Sequence, residues 1–473
     1  MLNDLIMYAS AILAVAVVVY MLIKKMDIKI ALFLMGIILI LVSLAMGNDI
    51  ALKEFESTGS AFLDPLQVIV EQFKSTFAKA GLIILMLGGY TAYMSSIGAN
   101  DITVQVLTRP ISKIKSVYFL VPIVFLLGNL LSLVIPSAST LAILLLATLY
   151  PVLKRAGMST LSIAAIIATS ATIIPTPLGS DNVAIAEELA LHPAFANLTV
   201  TDYVFNYHAM ISLPTLLFIA IVHYFWQKRM DKRSANKVSK EEVELKKLDE
   251  IKGGKLYKTV YAILPIFPII LLLISFALEL TTGIAVTLSV EIAVIVSLIL
   301  AIICELIRKK GDKKVLSDTE SFFEGMGRAI PIVALIVAAS VFVTGLQSIG
   351  LIEQLQESMQ HIQGSGFNFI LPLILVAFTA LIVLLSGSGI ALFFAMVPLM
   401  VPLADAAGIN PIAISIPMGL AGNLFRSVSP VAAVVLIIAG TLKVDPLDII
   451  KRTSVPMISG VIFMFILSMI VFL

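Results

Sequence analysis

The sequence is poor in the residues that build disulfides, metal centres and charged surfaces. A single cysteine, Cys304, excludes an intrachain disulfide, and four widely spaced histidines form no zinc-protease pattern. Only 13% of the 473 residues are charged and the formal net charge is +2, so no basic surface for nucleic acid is indicated. We therefore expect no resident metal, no organic cofactor and no nucleic-acid partner.

Hydrophobic residues are abundant instead, and they indicate a multi-pass membrane protein. They make up 59% of the sequence, and the mean hydropathy is +1.06. Long apolar runs recur along the whole chain. Composition and run length together predict an all-α protein with about ten membrane-spanning helices.

Lys and Arg are concentrated in a few loops, which the positive-inside rule places in the cytoplasm. Such clusters occur at 109–115 and at Lys154 and Arg155, on both sides of the apolar chain 118–153. A single crossing would put one cluster outside the cell. We therefore predict a re-entrant hairpin that enters from the cytoplasm, with its tip at PSAST (136–140).

The second half of the chain shows the opposite charge pattern. The loop before residues 367–404 contains Glu353 and Glu357 and lacks Lys and Arg. This pattern predicts a second hairpin, 367–404, that enters from outside, with its tip at SGSG (386–389). Gly and Ser at this depth favour a turn, because glycine breaks helices and bare backbone is costly in lipid.

The two halves also resemble each other in sequence. SSIGAND (95–101) corresponds to QSIGLIE (347–353), and YPVLKRAGMS (150–159) corresponds to VPLADAAGIN (401–410). Similar sequences with opposite predicted orientation are typical of an inverted-topology repeat, whose paired sites meet near the bilayer midplane. Chance similarity between two apolar segments is the alternative explanation.

We predict two repeats, 1–227 and 257–473, joined by a basic cytoplasmic linker at 228–256. Each repeat contains a hairpin, a broken span and a final span, which are 118–153, 158–190 and 203–226 in the first and 367–404, 410–442 and 454–473 in the second. The broken spans contain Pro, Gly and polar residues. Irregular backbone at membrane depth is tolerated only where it lines a cavity or is buried in protein.

Two ionisable residues lie within the broken spans at positions that favour function. Arg426 needs a partner, because an arginine at a helix centre costs roughly 2.5–3.5 kcal/mol on insertion scales. The candidates are a backbone carbonyl, Asp181 and a substrate carboxylate gripped by the guanidinium fork. Asp181 in turn has three candidate roles: pairing with Arg426, binding a coupling cation and carrying a proton.

Five stretches of the sequence carry a resemblance to a known family. They are GGYTAYMSSIGAND (88–101), HYFWQKRMDK (223–232), GSG (387–389), NLFRSVSPV (423–431) and KRTSVP (451–456). With them the chain resembles the DcuC-type anaerobic C4-dicarboxylate carriers along nearly its whole length. The resemblance implies secondary active transport of succinate, fumarate and malate across the bacterial inner membrane, by ion coupling or exchange. It also implies a homodimer in which a transport domain moves as an elevator against a scaffold domain.

The DcuC-type carriers resemble a wider ion-transporter superfamily. In that superfamily, hairpin tips and the loops of broken helices form the substrate site. Carried onto this sequence, the resemblance implies substrate binding by Ser137, Ser139, Thr140, Thr176, Ser386, Gly387, Ser388, Gly389, Asn423, Arg426, Ser427 and Ser429. The coupling ion, H⁺ or Na⁺, is expected at Ser180, Asp181 and Asn182, and Na⁺ also at the tips. Leu141 and Ile390 stand where relatives have Gly and Asn, and these departures can alter substrate length or coupling ion.

Three other functions are compatible with parts of the pattern. A cation/proton antiporter, or another carboxylate or amino-acid carrier of the same superfamily, is one; the antiporter would need acidic residues in both broken loops, where only Asp181 qualifies. A membrane-embedded serine protease could use Ser386 or Ser388 as nucleophile, but no His or Lys lies near them in sequence. A passive channel would conduct without counterflow exchange.

Overall fold

The computed structural model describes residues 2–24, 26–52, 55–114, 116–173, 175–234, 254–282, 288–360 and 368–473. The secondary structure in these residues is helical, and no strand occurs among them. Nine helices in this part of the chain are long and apolar enough to cross a membrane. The prediction of an all-α multi-pass protein is confirmed, with nine candidate spans where about ten were expected.

The helices are numbered here in chain order. Those of the first half are α1 Leu2–Ile23, α2 Ile28–Ala45, α3 Asp64–Thr76, α4 Leu82–Ser96, α5 Ala99–Thr108, α6 Val117–Ser132, α7 Ala138–Arg155, α8 Thr160–Ala168, α9 Ser180–Leu189, α10 Val200–Asp202 and α11 Ala209–Ser234. Those of the second half are α12 Lys255–Ile263, α13 Phe267–Thr282, α14 Val290–Arg308, α15 Lys314–Asp318, α16 Glu320–Ser348, α17 Leu351–Gln360, α18 Ile370–Ser386, α19 Gly389–Met396, α20 Met400–Ala407, α21 Ile412–Arg426, α22 Ala433–Leu442 and α23 Pro446–Phe472.

Helices are interrupted within both predicted broken spans. The first break lies between the end of α8 at Ala168 and the start of α9 at Ser180. The second lies between the end of α21 at Arg426 and the start of α22 at Ala433. Each break exposes the ends of two helices, and the free N–H and C=O groups there need partners.

Each predicted hairpin is a pair of helices joined by a short connection. Residues 133–137 join α6 to α7, and Gly387 and Ser388 join α18 to α19, both of which pack on α21. The sidedness of the hairpins, the inverted repeat and the division into scaffold and transport domains stay predictions. The predicted linker starts inside α11, which extends to Ser234, and residues 235–253 of it lie outside the described residues.

The longest described helix, α16, is the centre of the packing. It makes its most extensive contacts with α2 and α4. Glycines lie at both contacts, since Gly345 faces Gly36 of α2 and Gly325 faces Gly88 of α4, and the backbones therefore approach closely. Such contacts matter in lipid, because helix association there depends on van der Waals packing and not on the hydrophobic effect.

The substitution Gly325→Ala should destabilise the protein. The added Cβ would lie 2.5 Å from both the Cβ of Ala92 and the carbonyl oxygen of Gly88. We expect the free energy of unfolding to fall by about 1–3 kcal/mol, the usual cost of overpacking. Thermal unfolding of the purified protein in detergent measures the effect.

Gly327→Ala is the matched control on the same helix. Its Cβ would meet nothing within 4 Å. Alanine is favoured over glycine in a helix by about 1 kcal/mol, so this variant should be as stable as the wild type or more stable. Equal stability of the two variants would contradict the packing argument.

Candidate functional site

The first helix break, the end of α21 that leads into the second break, and Gly389 of the second hairpin tip line one cleft. The cleft encloses about 710 Å³, including its open mouth. Its lining includes six of the predicted site residues, which are Thr176, Ser180, Asp181, Gly389, Asn423 and Arg426. Ser180 begins α9 and Gly389 begins α19, so two helix N-termini bring partial positive charge to the cleft.

The glycines of the SGSG tip allow it to pack tightly against α21 and the second break. Gly387 has a φ of +75°, which L side chains rarely adopt, and a Cβ there would lie 2.5 Å from the carbonyl oxygen of Val431. A Cβ on Gly389 would lie 2.7 Å from the carbonyl oxygen of Gly422. The tip is therefore both a turn and a close backbone contact.

Ser386 closes this turn with its own hydroxyl. The hydroxyl donates to the carbonyl oxygen of Ser388 at 3.1 Å and accepts from the backbone N–H of Ser388 at 3.2 Å. A nucleophilic serine would need a base within hydrogen-bond reach. The hydroxyl of Ser386 instead satisfies backbone groups of its own turn.

Asp181 presents its carboxylate to the cleft from the first turn of α9. One oxygen accepts from the side-chain amide of Asn423 at 3.3 Å, and the other accepts from the backbone N–H of Asn182 at 3.0 Å. Asn182 lies behind this residue and donates its side-chain amide to the carbonyl oxygen of Thr176 at 2.9 Å. The amide of Asn423 thus links the second broken helix to the start of α9.

Arg426 binds a backbone carbonyl of the first break. Its guanidinium donates to the carbonyl oxygen of Ala171 at 2.5 Å. Arg426 and Asp181 line the same cleft, but the ion pairs within 4.0 Å among the described residues do not include them. The sequence left a backbone carbonyl and Asp181 as possible protein partners of Arg426, and the structure shows the carbonyl. A guanidinium has five N–H donors, and this bond uses one of them.

Of the first hairpin tip, Pro136 lines the cleft, whereas Ser137 and Thr140 lie beside it. Ser137 caps α7, accepting from the backbone N–H of Thr140 at 3.3 Å and from its hydroxyl at 3.0 Å. Both residues line a second cavity of about 1390 Å³, which we name the vestibule. The vestibule and the cleft share Pro136, Leu178, Ser180 and Ile332, so they adjoin each other.

The other predicted site residues line neither space among the described residues. They are Ser139, Asn182, Ser386, Gly387, Ser388, Ser427 and Ser429. Like Asn182 and Ser386, two more of them form hydrogen bonds to backbone carbonyls. Ser427 donates to the carbonyl oxygen of Leu424 at 2.9 Å, and Ser429 donates to that of Leu384 at 3.0 Å. Their roles in substrate or ion binding stay predictions.

Asn129 forms hydrogen bonds to backbone groups of the first break, a role that was not predicted from the sequence. Its side-chain oxygen accepts from the backbone N–H groups of Thr172 at 3.0 Å and Ile173 at 3.1 Å. Its amide donates to the carbonyl oxygen of Thr169 at 3.2 Å. The available signal was a lone amide in the otherwise apolar run FLLGNLL (125–131), because a buried polar side chain in a membrane helix usually has a partner.

A buried ion pair joins two of the family-like stretches to which the sequence assigned no role. Arg452 of KRTSVP is fully buried and pairs with Asp231 of HYFWQKRMDK at 2.5 Å. Arg452 also donates to the hydroxyl of Ser162 at 2.8 Å, and Gln227 donates to the carbonyl oxygen of Arg452 at 2.9 Å. These contacts fasten α23 to α8 and α11.

The same junction reaches both helix breaks. The Nε2 atom of His223 lies 3.2 Å from the hydroxyl of Thr169, directly after α8. Thr453, next to Arg452, donates to the carbonyl oxygen of Ser427 at 2.8 Å, directly after α21. The junction therefore fixes the helix ends that lead into the cleft.

Comparison with known proteins finds relatives along nearly the whole chain. The family model for the C4-dicarboxylate anaerobic carrier, DcuC, matches residues 7–473. The anaerobic C4-dicarboxylate transporter DcuC of Escherichia coli K12 is 35% identical over 437 residues, which cover 91% of this chain and 89% of that protein. The probable anaerobic C4-dicarboxylate transporter DcuC of Vibrio cholerae is 34% identical over 438 residues, which cover 92% and 91%.

Two solved transporter structures share the fold at low sequence identity. The YdaH transporter of Alcanivorax borkumensis has a TM-score of 0.67 at 16% identity, covering 94% of this chain and 98% of that one. MtrF of Neisseria gonorrhoeae, from a class of antimetabolite efflux pumps, has a TM-score of 0.61 at 14% identity, covering 94% and 95%. At this identity the likeness establishes the fold alone.

The substitution Asp231→Ala should lower the free energy of unfolding, because it leaves the charge of Arg452 buried without its carboxylate partner. Breaking a buried ion pair in this way costs about 3–5 kcal/mol. Asp448→Ala, on the same helix as Arg452, removes an ion pair with Lys451 whose side chains are 45% and 65% exposed. That control should change stability by less than about 1 kcal/mol. Denaturant unfolding of both variants is the measurement, and a small effect of Asp231→Ala would argue against the junction.

Proposed function

The chain belongs to the DcuC family of C4-dicarboxylate anaerobic carriers, and on that basis we propose that it transports succinate, fumarate and malate. It is a multi-pass transporter of the bacterial inner membrane and not an enzyme. The observation that carries the substrate proposal is Arg426, a guanidinium that lines the cleft beside the N-termini of α9 and α19.

The chemistry of the cleft suits a small dianion. In an extended C4-dicarboxylate the outer oxygens of the two carboxylates lie roughly 5–6 Å apart, as bond lengths dictate. Arg426 binds one of them with charge-assisted hydrogen bonds. The other meets backbone N–H groups at a helix N-terminus, which bind carboxylates without the desolvation cost of a second buried arginine. Gly389 and Asn423 flank Arg426 and set how closely the ligand approaches.

Asp181 is the candidate for ion coupling. A charge that crosses the membrane against the potential costs about 2.3 kcal/mol per 100 mV, so a dianion needs a coupling ion or a counter-substrate. Among the described residues that line the cleft, Asp181 is the one carboxylate. We assign H⁺ or Na⁺ to it, with Ser180 and Asn182 as its neighbours in the chain.

The proposal extends to an elevator mechanism in a homodimer. The glycine-lined contacts of α16 with α2 and α4 suit a rigid scaffold. The hairpins and broken helices that surround the cleft, α6–α9 and α18–α22, would then form the moving domain. Inverted-repeat carriers of this kind work by moving one part against another around the site.

The substitution Arg426→Ala should raise the KM for succinate by about 10- to 150-fold, because a hydrogen bond to a charged group is worth about 1.5–3 kcal/mol. Arg426→Lys keeps the charge but loses the fork, so its KM should lie between those of Arg426→Ala and the wild type. The measurement is counterflow in proteoliposomes loaded with unlabelled succinate and challenged with labelled succinate outside.

The same assay tests the substrate class. Fumarate and malate should compete with labelled succinate, and citrate and arginine should not. Arg233→Ala, at the exposed end of α11, is the control and should transport as the wild type does. No accumulation by a monodisperse wild-type protein would refute dicarboxylate transport and favour the antiporter alternative. Normal transport by Arg426→Ala would remove that residue from the site.

A second variant, Asp181→Asn, should separate exchange from ion-driven accumulation. The amide keeps the size of the side chain and one of its two acceptor oxygens, but it can neither carry a proton at neutral pH nor neutralise a bound cation. We expect counterflow to persist while uphill uptake driven by a proton or sodium gradient is lost. Uphill uptake at the wild-type level would exclude Asp181 as the coupling residue.

A further inference from the structure

The vestibule carries a positive charge that the proposed site does not use. Its described lining residues include Arg328 on α16 and no Asp or Glu. Most of the polar lining is uncharged, with the hydroxyls of Thr91, Ser137 and Thr140 among it. A cavity lined by one sign of charge concentrates counter-ions of the opposite sign, here anions.

The charge of Arg328 is weakly compensated within the protein. Its Nε atom donates to the carbonyl oxygen of Glu324 at 3.4 Å, and its terminal nitrogen lies 3.9 Å from the carboxylate of the same residue. The two side chains are 70% and 67% exposed, and exposed pairs of this kind contribute little energy. The guanidinium is therefore available to an anion in the vestibule.

The vestibule lies next to the cleft. Pro136, Leu178, Ser180 and Ile332 line both spaces, and Ile332 lies one helical turn beyond Arg328 on α16. An anion at Arg328 would therefore lie in the space that adjoins the one lined by Arg426. The two arginines lie on different elements, Arg328 on α16 and Arg426 on α21.

We propose that Arg328 forms a second carboxylate site, in the vestibule, which captures the substrate dianion before it binds at Arg426. The inference rests on the proposed function and adds a residue that determines the rate of substrate capture. The hydroxyls of Ser137 and Thr140, at the N-terminal cap of α7, donate hydrogen bonds to the anion there but do not hold it in a single position. Charges at the rim of a binding site act mainly on the association rate, and salt screens them.

The first test compares Arg328→Gln with Lys255→Gln at two salt concentrations. Lys255 is exposed and lines neither cavity, so it controls for a loss of net charge. At about 10 mM salt, where the Debye length is about 30 Å, Arg328→Gln should raise the KM for succinate about 3- to 10-fold. At about 300 mM salt the difference should fall below about twofold, with the maximal rate unchanged at both concentrations. A KM that equals the wild-type value at low salt would overturn the proposal.

The second test restores the charge chemically. Cys304 is the single cysteine, so Cys304→Ser gives a background in which Arg328→Cys carries the only thiol. Reaction with a trimethylammonium methanethiosulfonate should return the low-salt KM to within about twofold of its value in the background protein, and a sulfonated reagent should raise it further. Equal effects of the cationic and anionic reagents would show that bulk and not charge matters, and would overturn the proposal.

The two proposals fail in distinguishable ways. Absence of counterflow in the wild-type protein refutes dicarboxylate transport, and the vestibule site with it. Normal counterflow in the wild type, together with a low-salt KM of Arg328→Gln that equals the wild-type value, refutes the vestibule site alone. A salt-independent loss of maximal rate would instead identify Arg328 as structural, and that also overturns the capture role.

Discussion

Unpaired backbone at the two helix breaks is the constraint on which the rest of the structure depends. In lipid no water satisfies a free N–H or C=O group, so each break must find its partners within the protein. Asn129 supplies them at the first break, and Thr453 supplies one at the second. The buried ion pair of Arg452 and Asp231 holds the helices that carry some of these partners, and packing around the breaks follows from it.

The cleft is the place where the two breaks are fastened to each other. Arg426 ends the helix before the second break and binds the Ala171 carbonyl in the first, and Asn423 reaches Asp181 across the same gap. A substrate carboxylate in the cleft would therefore contact groups that already bridge the breaks. Binding and the relative position of the two broken helices are coupled by this arrangement, because the same side chains serve both.

The all-α, multi-pass fold could be predicted from the sequence, because hydropathy is a property of single segments. The broken spans could be located from Pro, Gly and polar residues within apolar runs, and Thr176, Asp181, Asn423 and Arg426 were found in this way. Partners far apart in sequence could not be predicted. Arg452 lies 221 residues from Asp231, and no local pattern indicates which buried charge it meets. The hydroxyl of Ser386 closes a turn, which composition did not indicate, and its role in substrate binding stays a prediction.

The distance in sequence between Asp231 and Arg452 has a consequence for how the protein is made. Helix α11 leaves the ribosome and enters the membrane 221 residues before its charge partner is synthesised. The ion pair that joins α11 to α23, and the bond from Arg452 to Ser162 of α8, therefore form only after the last helix has been made. These three helices are fastened to one another at the end of synthesis and not as each one is inserted.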